Sequence, residues 1–180
     1  MIHLWHELSA GPNPPDVVYA VIEVPKGNRN KYEYAKRAGV IKLDRVLYSS
    51  LHYPGDYGFI PQTYFEDGDP LDVLVIVTEP TFPGCVIEAR PIGMFKMIDK
   101  GQPDYKILAV PATDPNFNDF HSLDDVAKHF PTEVMHFFMT YKQLEDAEVK
   151  NEGWADAQEA RNTIQLSLEL YQKTFPTQGL

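Results

Sequence analysis

From residue 17 to residue 110 the chain alternates short apolar, β-branched runs with breaks rich in glycine and proline. The spacing predicts strands over 17–24, 31–35, 41–47, 73–77, 86–89, 92–98 and 105–110. The breaks are Pro25-Lys26-Gly27-Asn28, Ala38-Gly39, Tyr53-Pro54-Gly55-Asp56, Asp67-Gly68-Asp69-Pro70, Pro83-Gly84 and Lys100-Gly101-Gln102-Pro103. Proline cannot donate to a strand ladder, so its gathering in these breaks is how a β-barrel or sandwich is punctuated. Residues 1–16, with Gly11-Pro12-Asn13-Pro14-Pro15, read as an irregular lead-in. After residue 120 the period lengthens. Ser122 and Asp125 form a capping-box pattern, and Thr132 is positioned to cap a helix whose apolar stripe runs through Val134, Phe138 and Tyr141. Ala157, Ala160, Ile164, Leu168 and Tyr171 mark a last helix, with Asp156 and Glu159 at its N-terminus. Strands followed by helices predict an α+β fold, barrel-like.

Composition and charge adjust this picture. At 180 residues with 43% hydrophobic content, the chain is expected to form a single domain, 1–180, with a substantial core. The longest apolar run, 17–22, is too short to span a bilayer, and the first residues lack a signal-peptide pattern. The single Cys85 excludes an intrachain disulfide or a thiolate zinc site, so a soluble protein of a reducing compartment is expected. The net charge of −10 argues against general nucleic-acid binding. Residues 26–45 run the other way. Lys26, Arg29, Lys31, Lys36, Arg37, Lys42 and Arg45 face only Glu33 and Asp44. This stretch reads either as a solvated lysine-rich hairpin edge, the reading that suits Lys36, Arg37 and Lys42, or as a small anion site in an acidic protein.

The segment most able to carry chemistry is Asp67-Gly68-Asp69-Pro70-Leu71-Asp72, three carboxylates in six residues beside an apolar strand. Two carboxylates about 4 Å apart repel by roughly 4 kcal/mol at an effective dielectric near 20, so a loop that holds several favours a cation or a proton among them. Oxygen ligands without cysteine or histidine point to Mg²⁺, Mn²⁺ or Ca²⁺. Taken alone, Asp-Gly and Asp-Pro steps are also ordinary turn chemistry. An EF-hand is excluded: counted from Asp67, its required Gly and Glu positions hold Asp72 and Thr78. A second acidic pair, Asp99 and Asp104, flanks a predicted turn, with Lys106 two residues on and hence on one strand face with Asp104. Glu23 sits mid-strand among apolar residues, where a carboxylate needs a partner.

With these residues in view, the chain resembles the soluble inorganic pyrophosphatases of family I, prokaryotic in type. Asp67-Gly68-Asp69-Pro70-Leu71-Asp72-Val73 matches that family's D-x-D-P-x-D-aliphatic signature. Around it stand Ile22-Glu23-Val24-Pro25, Asn30-Lys31-Tyr32-Glu33, Leu43-Asp44-Arg45, Tyr53-Pro54-Gly55-Asp56-Tyr57-Gly58, Lys96-Met97-Ile98-Asp99, Asp104-Tyr105-Lys106 and His136-Phe137-Phe138-Met139-Thr140-Tyr141-Lys142. The resemblance implies a five-stranded OB-type closed β-barrel with extra strands and flanking C-terminal helices. It implies metal ligation by Asp67, Asp72, Asp99 and Asp104, with Asp69 taking the proton from the attacking water. It further implies phosphate binding by Lys31, Arg45, Tyr57, Lys106, Tyr141 and Lys142, supported by Glu23, Glu33 and Tyr53. Hydrolysis of pyrophosphate without a covalent enzyme intermediate, several Mg²⁺ ions per site with Mn²⁺ as a substitute, a homohexamer built as a dimer of trimers and a cytoplasmic location belong to the same expectation. Asp146-Ala147-Glu148 departs from the lysine- and glycine-containing stretch of many members.

The chemistry is self-consistent. Pyrophosphate is a compact anion that repels an anionic nucleophile; cations offset that repulsion, and Lys, Arg and Tyr donors stabilise the leaving phosphate. Read without the resemblance, Tyr53, Tyr57 and Tyr141 also suit core packing, as the lesser reading, and His52, His129 and His136 read as packing or interface residues. Two alternatives compete: a phosphohydrolase of nucleotides, which lacks a glycine-rich phosphate loop here, and a nucleic-acid-binding OB module, which needs a basic groove where this chain places acids.

Overall fold

The computed structural model describes residues 2–145 and 148–176. In chain order its strands are β1 (Val18–Val24), β2 (Asn30–Ala35), β3 (Val40–Val46), β4 (Asp56–Phe59), β5 (Asp72–Val75), β6 (Val86–Asp99), β7 (Gln102–Pro103), β8 (Lys106–Pro111) and β9 (Val149–Asp156). The helices are α1 (His129–Thr140) and α2 (Ala157–Thr174), with short 3₁₀ turns at Pro115–Phe117, Leu123–Asp125 and Gln143–Glu145.

Five strands close on themselves. β1 pairs with β4, β4 with β5, β5 in parallel with β8, β8 with β6, and β6 returns to β1. This ring meets the α+β, OB-type expectation. β7 and β9 extend it by pairing with β6, while β2 and β3 form a hairpin of their own. Closure depends on one long strand. β6 runs for 14 residues, meeting β1 at its start and β8 and β9 further along. The sequence pattern divides this strand in two at Arg90-Pro91. The structure instead keeps it continuous, absorbing Pro91 in a register shift against β8.

Side chains alternate across the ring, as a two-residue period requires. Val73, Val75, Ile107 and Ala109 enter a cluster that includes Ala160 and Ile164 of α2. Leu74, Leu108 and Val110 enter a second cluster with Val134, Phe137 and Phe138 of α1. The helices therefore cover opposite surfaces of the same strands. A third cluster joins Trp5 of the lead-in to Val21, Tyr34, Phe59 and Tyr171.

Several local expectations change. β4 and β9 lie where the pattern showed a turn and a helix-rich region. Ser122 and Asp125 do form a capping box, but it closes a 3₁₀ turn. Thr132 is inside the first turn of α1, which begins at His129 without a side-chain cap. Asp156 caps α2, its Oδ1 accepting the Glu159 amide at 2.8 Å. Asp146 and Ala147, where the chain departs from its family pattern, lie outside the described residues.

Candidate active site

The site forms where the ends of β4, β5 and β8 come side by side. Antiparallel pairing sets Phe59 opposite Asp72, and parallel pairing sets Asp72 opposite Lys106. Tyr57, two residues before Phe59, reaches across so that its hydroxyl donates to Asp72 Oδ2 at 2.5 Å. The Lys106 ammonium, almost fully buried, donates to both Asp72 and Asp104. Asp104, between β7 and β8, is tied to β6, its amide donating to the Met97 carbonyl at 2.9 Å.

The loop entering β5 turns back on itself at Gly68, whose φ of +86° is open to glycine and costly for other residues. Asp67 accepts the Asp69 amide at 3.0 Å, and the Asp69 carbonyl accepts the Phe65 amide at 2.8 Å. Pro70 is buried with its φ fixed, and Asp69 and Asp72 on either side of it meet different partners, Lys36 and Lys106. On the other wall, Lys142 past the end of α1 donates to Asp99 Oδ2 at 2.5 Å, and Lys31 pairs with Glu33 on β2.

One cavity of about 390 Å³ gathers these groups. It is lined by Asp67, Asp69, Asp72, Asp99, Asp104, Glu23, Glu33, Lys31, Lys106, Lys142, Tyr57 and Tyr141, all expected from sequence. Arg45 and Tyr53 do not line it. Arg45, opposite Lys31 in the hairpin, is occupied by Asp44 at 2.5 Å and Glu145 at 2.6 Å. Tyr53 is a core residue, packed on Tyr57, Phe137 and Tyr141 with ring centroids 4.7–6.4 Å apart. The cavity also contains Tyr34, Lys36, Lys100 and Gln102, which sequence reasoning missed. Lys36 corrects the solvated-edge reading: its ammonium pairs with Asp69. No local pattern marks it, because Lys36 follows the end of β2 and is placed by distant packing.

Electrostatics follow from this crowding. Burial first, then the charges of Asp72, Asp104 and Asp69, raise Asp67 to about 6 against the pull of the Asp69 amide. Burial lifts Glu23 to about 8, although its Oε1 accepts the Tyr34 amide at 2.6 Å. For Lys106 burial acts downward, but Asp104 and Asp72 overcome it and hold the ammonium charged. Burial, then the Asp72 charge, keeps the Tyr57 phenol far from ionising, so it serves as a neutral donor.

The wall carries seven carboxylates and five ammoniums. Among the described residues no three carboxylate, imidazole or thiolate groups are drawn into a single ion-sized cluster; Lys106 stands between Asp72 and Asp104 instead, while Lys36 pairs with Asp69 and Lys142 with Asp99. The donor set nevertheless suits a hard divalent cation. Its ligand atoms are all oxygen, Asp67 is pushed up partly by neighbouring acids, and the buried Asp99 Oδ1 has no hydrogen-bond partner. These residues fit Mg²⁺ better than any softer metal.

Comparison with known proteins agrees with this geometry. The inorganic pyrophosphatase family model matches residues 20–172. A Haloferax volcanii protein named inorganic pyrophosphatase is 52% identical over 176 residues, covering 97% of this chain and 99% of that protein. A Picrophilus torridus protein of the same name is 47% identical over 169 residues, covering 94% and 96%. The crystal structure of inorganic pyrophosphatase from Thermus thermophilus superposes with a TM-score of 0.91 at 44% identity, covering 95% of this chain and 99% of that one. With its ring of strands, its acid-lined cavity and relatives matched end to end, this chain belongs to the inorganic pyrophosphatase family.

Proposed function

We propose that the described cavity hydrolyses pyrophosphate to two phosphates with Mg²⁺, Asp69 acting as the general base. The observation that carries this reading is the meeting, in one cavity, of five aspartates with Lys31, Lys106, Lys142, Tyr57 and Tyr141. Divalent ions, when bound, neutralise phosphoryl charge and make water a better nucleophile near neutral pH. Asp67, Asp72, Asp99 and Asp104 would hold them, with Mn²⁺ a workable substitute. Asp69, the more exposed carboxylate of the loop, takes the proton of the attacking water. Lys31, Lys106 and Lys142 meet phosphoryl oxygens as point charges, while Tyr57 and Tyr141 offer neutral donors to the developing charge. Arg45 joins them by exchanging Asp44 or Glu145 for a phosphoryl oxygen, and its rigid fork suits that contact. Glu23 and Glu33 orient the lysines and the water around the anion, and Tyr53 packs behind Tyr57.

The chain works as one unit over 1–180 and acts in the cytoplasm. No helix of the described residues is long and apolar enough to cross a membrane. A homohexamer, a dimer of trimers, is supported by apolar side chains left open on β3 and α2: Val40, Leu43, Val46, Leu166 and Leu170.

The test is phosphate release from pyrophosphate and from ATP across a Mg²⁺ titration, with single-stranded DNA binding measured alongside. Release from pyrophosphate should depend on Mg²⁺ and exceed release from ATP by at least about 100-fold in kcat/KM. Asp69→Asn should lower kcat by about 100-fold or more at unchanged thermal stability. Equal use of ATP, or normal turnover by that variant, would refute the substrate or the base assignment respectively.

A further inference from the structure

Asp69 is a half-exposed side chain on a loop, yet a general base must be held close to its productive geometry; displacement by 1 Å costs on the order of 100-fold in rate. Its backbone is fixed by Asp67 and Phe65, but those bonds leave the carboxylate free to rotate. Among the described residues, the carboxylate has one side-chain partner, the Lys36 ammonium. A lysine is itself a flexible stem, so whatever holds Lys36 also holds Asp69.

The lead-in does so. Lys36 Nζ lies 5.5 Å from the centroid of the Trp5 ring, within reach of a cation–π attraction. Trp5 is buried, its indole N–H donating to the Thr63 carbonyl at 2.9 Å and its own carbonyl accepting the Gln62 amide at 2.9 Å. His3 secures the other end. Its Nδ1 accepts the His6 amide at 3.2 Å, which assigns the ring proton to Nε2, and Nε2 then donates to the Lys36 carbonyl at 2.6 Å. The Leu4 amide donates to the Tyr34 hydroxyl at 2.9 Å. Residues 3–5 thus tie the β2–β3 hairpin to the segment that leads into the aspartate loop, and they lie before the region matched by the family model, which begins at residue 20.

We propose that Lys36 is a positioning residue for Asp69, held over the loop by an N-terminal clasp of His3 and Trp5. The proposal rests on the reading of Asp69 as the base. With Lys36 in place the carboxylate keeps one rotamer facing the cavity; without it the base is spread over several, and turnover falls while substrate binding is kept.

Two measurements test this. In chelator, acylation of lysine amines is followed by peptide mass spectrometry, with the exposed Lys173 as internal reference. Asp69→Asn and His3→Leu should each raise the acylation rate of Lys36 severalfold and leave Lys173 unchanged; no change at Lys36 in either variant overturns the pair or the clasp. In steady-state kinetics, Lys36→Met should lower kcat by about 10-fold with KM for magnesium pyrophosphate within about twofold, and Lys36→Arg should recover most of the loss. Parental kcat in Lys36→Met, or a raised KM with kcat kept, overturns the positioning role. Failure of the base reading is separately visible, since Asp69→Asn would then keep full turnover whatever Lys36 does.

Discussion

Asp56, buried at the start of β4, and Glu23, half-buried on β1, are carboxylates whose surroundings give them opposite characters. Asp56, fully buried, accepts the Lys26 amide at 2.8 Å, the Thr81 amide at 3.0 Å and the Thr81 hydroxyl at 2.6 Å. With so many donors it is a structural anchor that joins two loops to β4, although its Pro-Gly-Asp context reads as an open turn. Asp56→Ala leaves buried donors unpaired and should cost about 3 kcal/mol. At roughly 2–4 °C per kcal/mol for a chain of this size, Tm should fall by about 6–12 °C in calorimetry, with KM for pyrophosphate unchanged. Glu23 has one amide donor and is driven up to about 8 by burial. Unfolded, it titrates near 4.5, so between those values the folded chain binds the extra proton and stability falls as pH rises. The window is worth on the order of 5 kcal/mol. In chelator, Tm of the parent should therefore decline from pH 5 to pH 8 more steeply than Tm of Glu23→Gln. Parallel curves would show that Glu23 ionises in the folded protein as easily as in water.

Among the elements, those legible in the sequence are the ones whose apolar pattern is local. β1, β5 and β8 read plainly because both of their faces are covered. β4 does not, since it has four residues and includes Gly58, poor strand material by propensity. The structure supplies the reason for that glycine. A Cβ there would lie 1.8 Å from the Val21 carbonyl oxygen, where β4 crosses β1. Gly58→Ala should prevent ring closure and leave little soluble, cooperatively unfolding protein, whereas Gly27→Ala, with open space around it, should cost only about 1 kcal/mol of backbone strain. Similar thermal unfolding of the two variants would mean that the β1–β4 crossing gives way easily. β9 is invisible for another reason: Lys150, Asn151 and Glu152 face solvent, and the strand exists because Trp154 packs on Phe95 of β6. The same division applies to the site. The aspartate loop carries its chemistry within six residues and is readable as such, whereas Lys36 depends on Trp5 and His3, some thirty residues away. Arg45 is the converse case: its residue type is legible as a phosphate contact, while its pairing with Asp44 and Glu145, outside the cavity wall, is not.

For the molecule as a whole, the ring fixes the ends of β5 and β8 next to each other, so Asp72, Asp104 and Lys106 are confined to one place however unfavourable their charges. A protein of net charge −10 that concentrates five aspartates in one cavity carries an electrostatic load that its lysines offset only in part. Ions bound there would relieve it, and they bind the folded chain alone, because the unfolded chain scatters the same aspartates. Stability must then rise with ligand concentration by linkage, by about 2.7 kcal/mol for one site at 100 times its Kd. With roughly 2–4 °C per kcal/mol, Tm should climb by about 5–10 °C on adding Mg²⁺ to chelator-treated protein. Choline chloride at equal ionic strength separates site binding from general screening, which acts on exposed charges and should move Tm much less. Asp72→Asn, which removes a central charge while keeping the shape, should abolish most of the Mg²⁺ response. If Mg²⁺ and choline chloride shifted Tm equally, the carboxylates would be neutralised well enough by Lys36, Lys106 and Lys142 alone, and the cavity would have no need of a metal to hold its form.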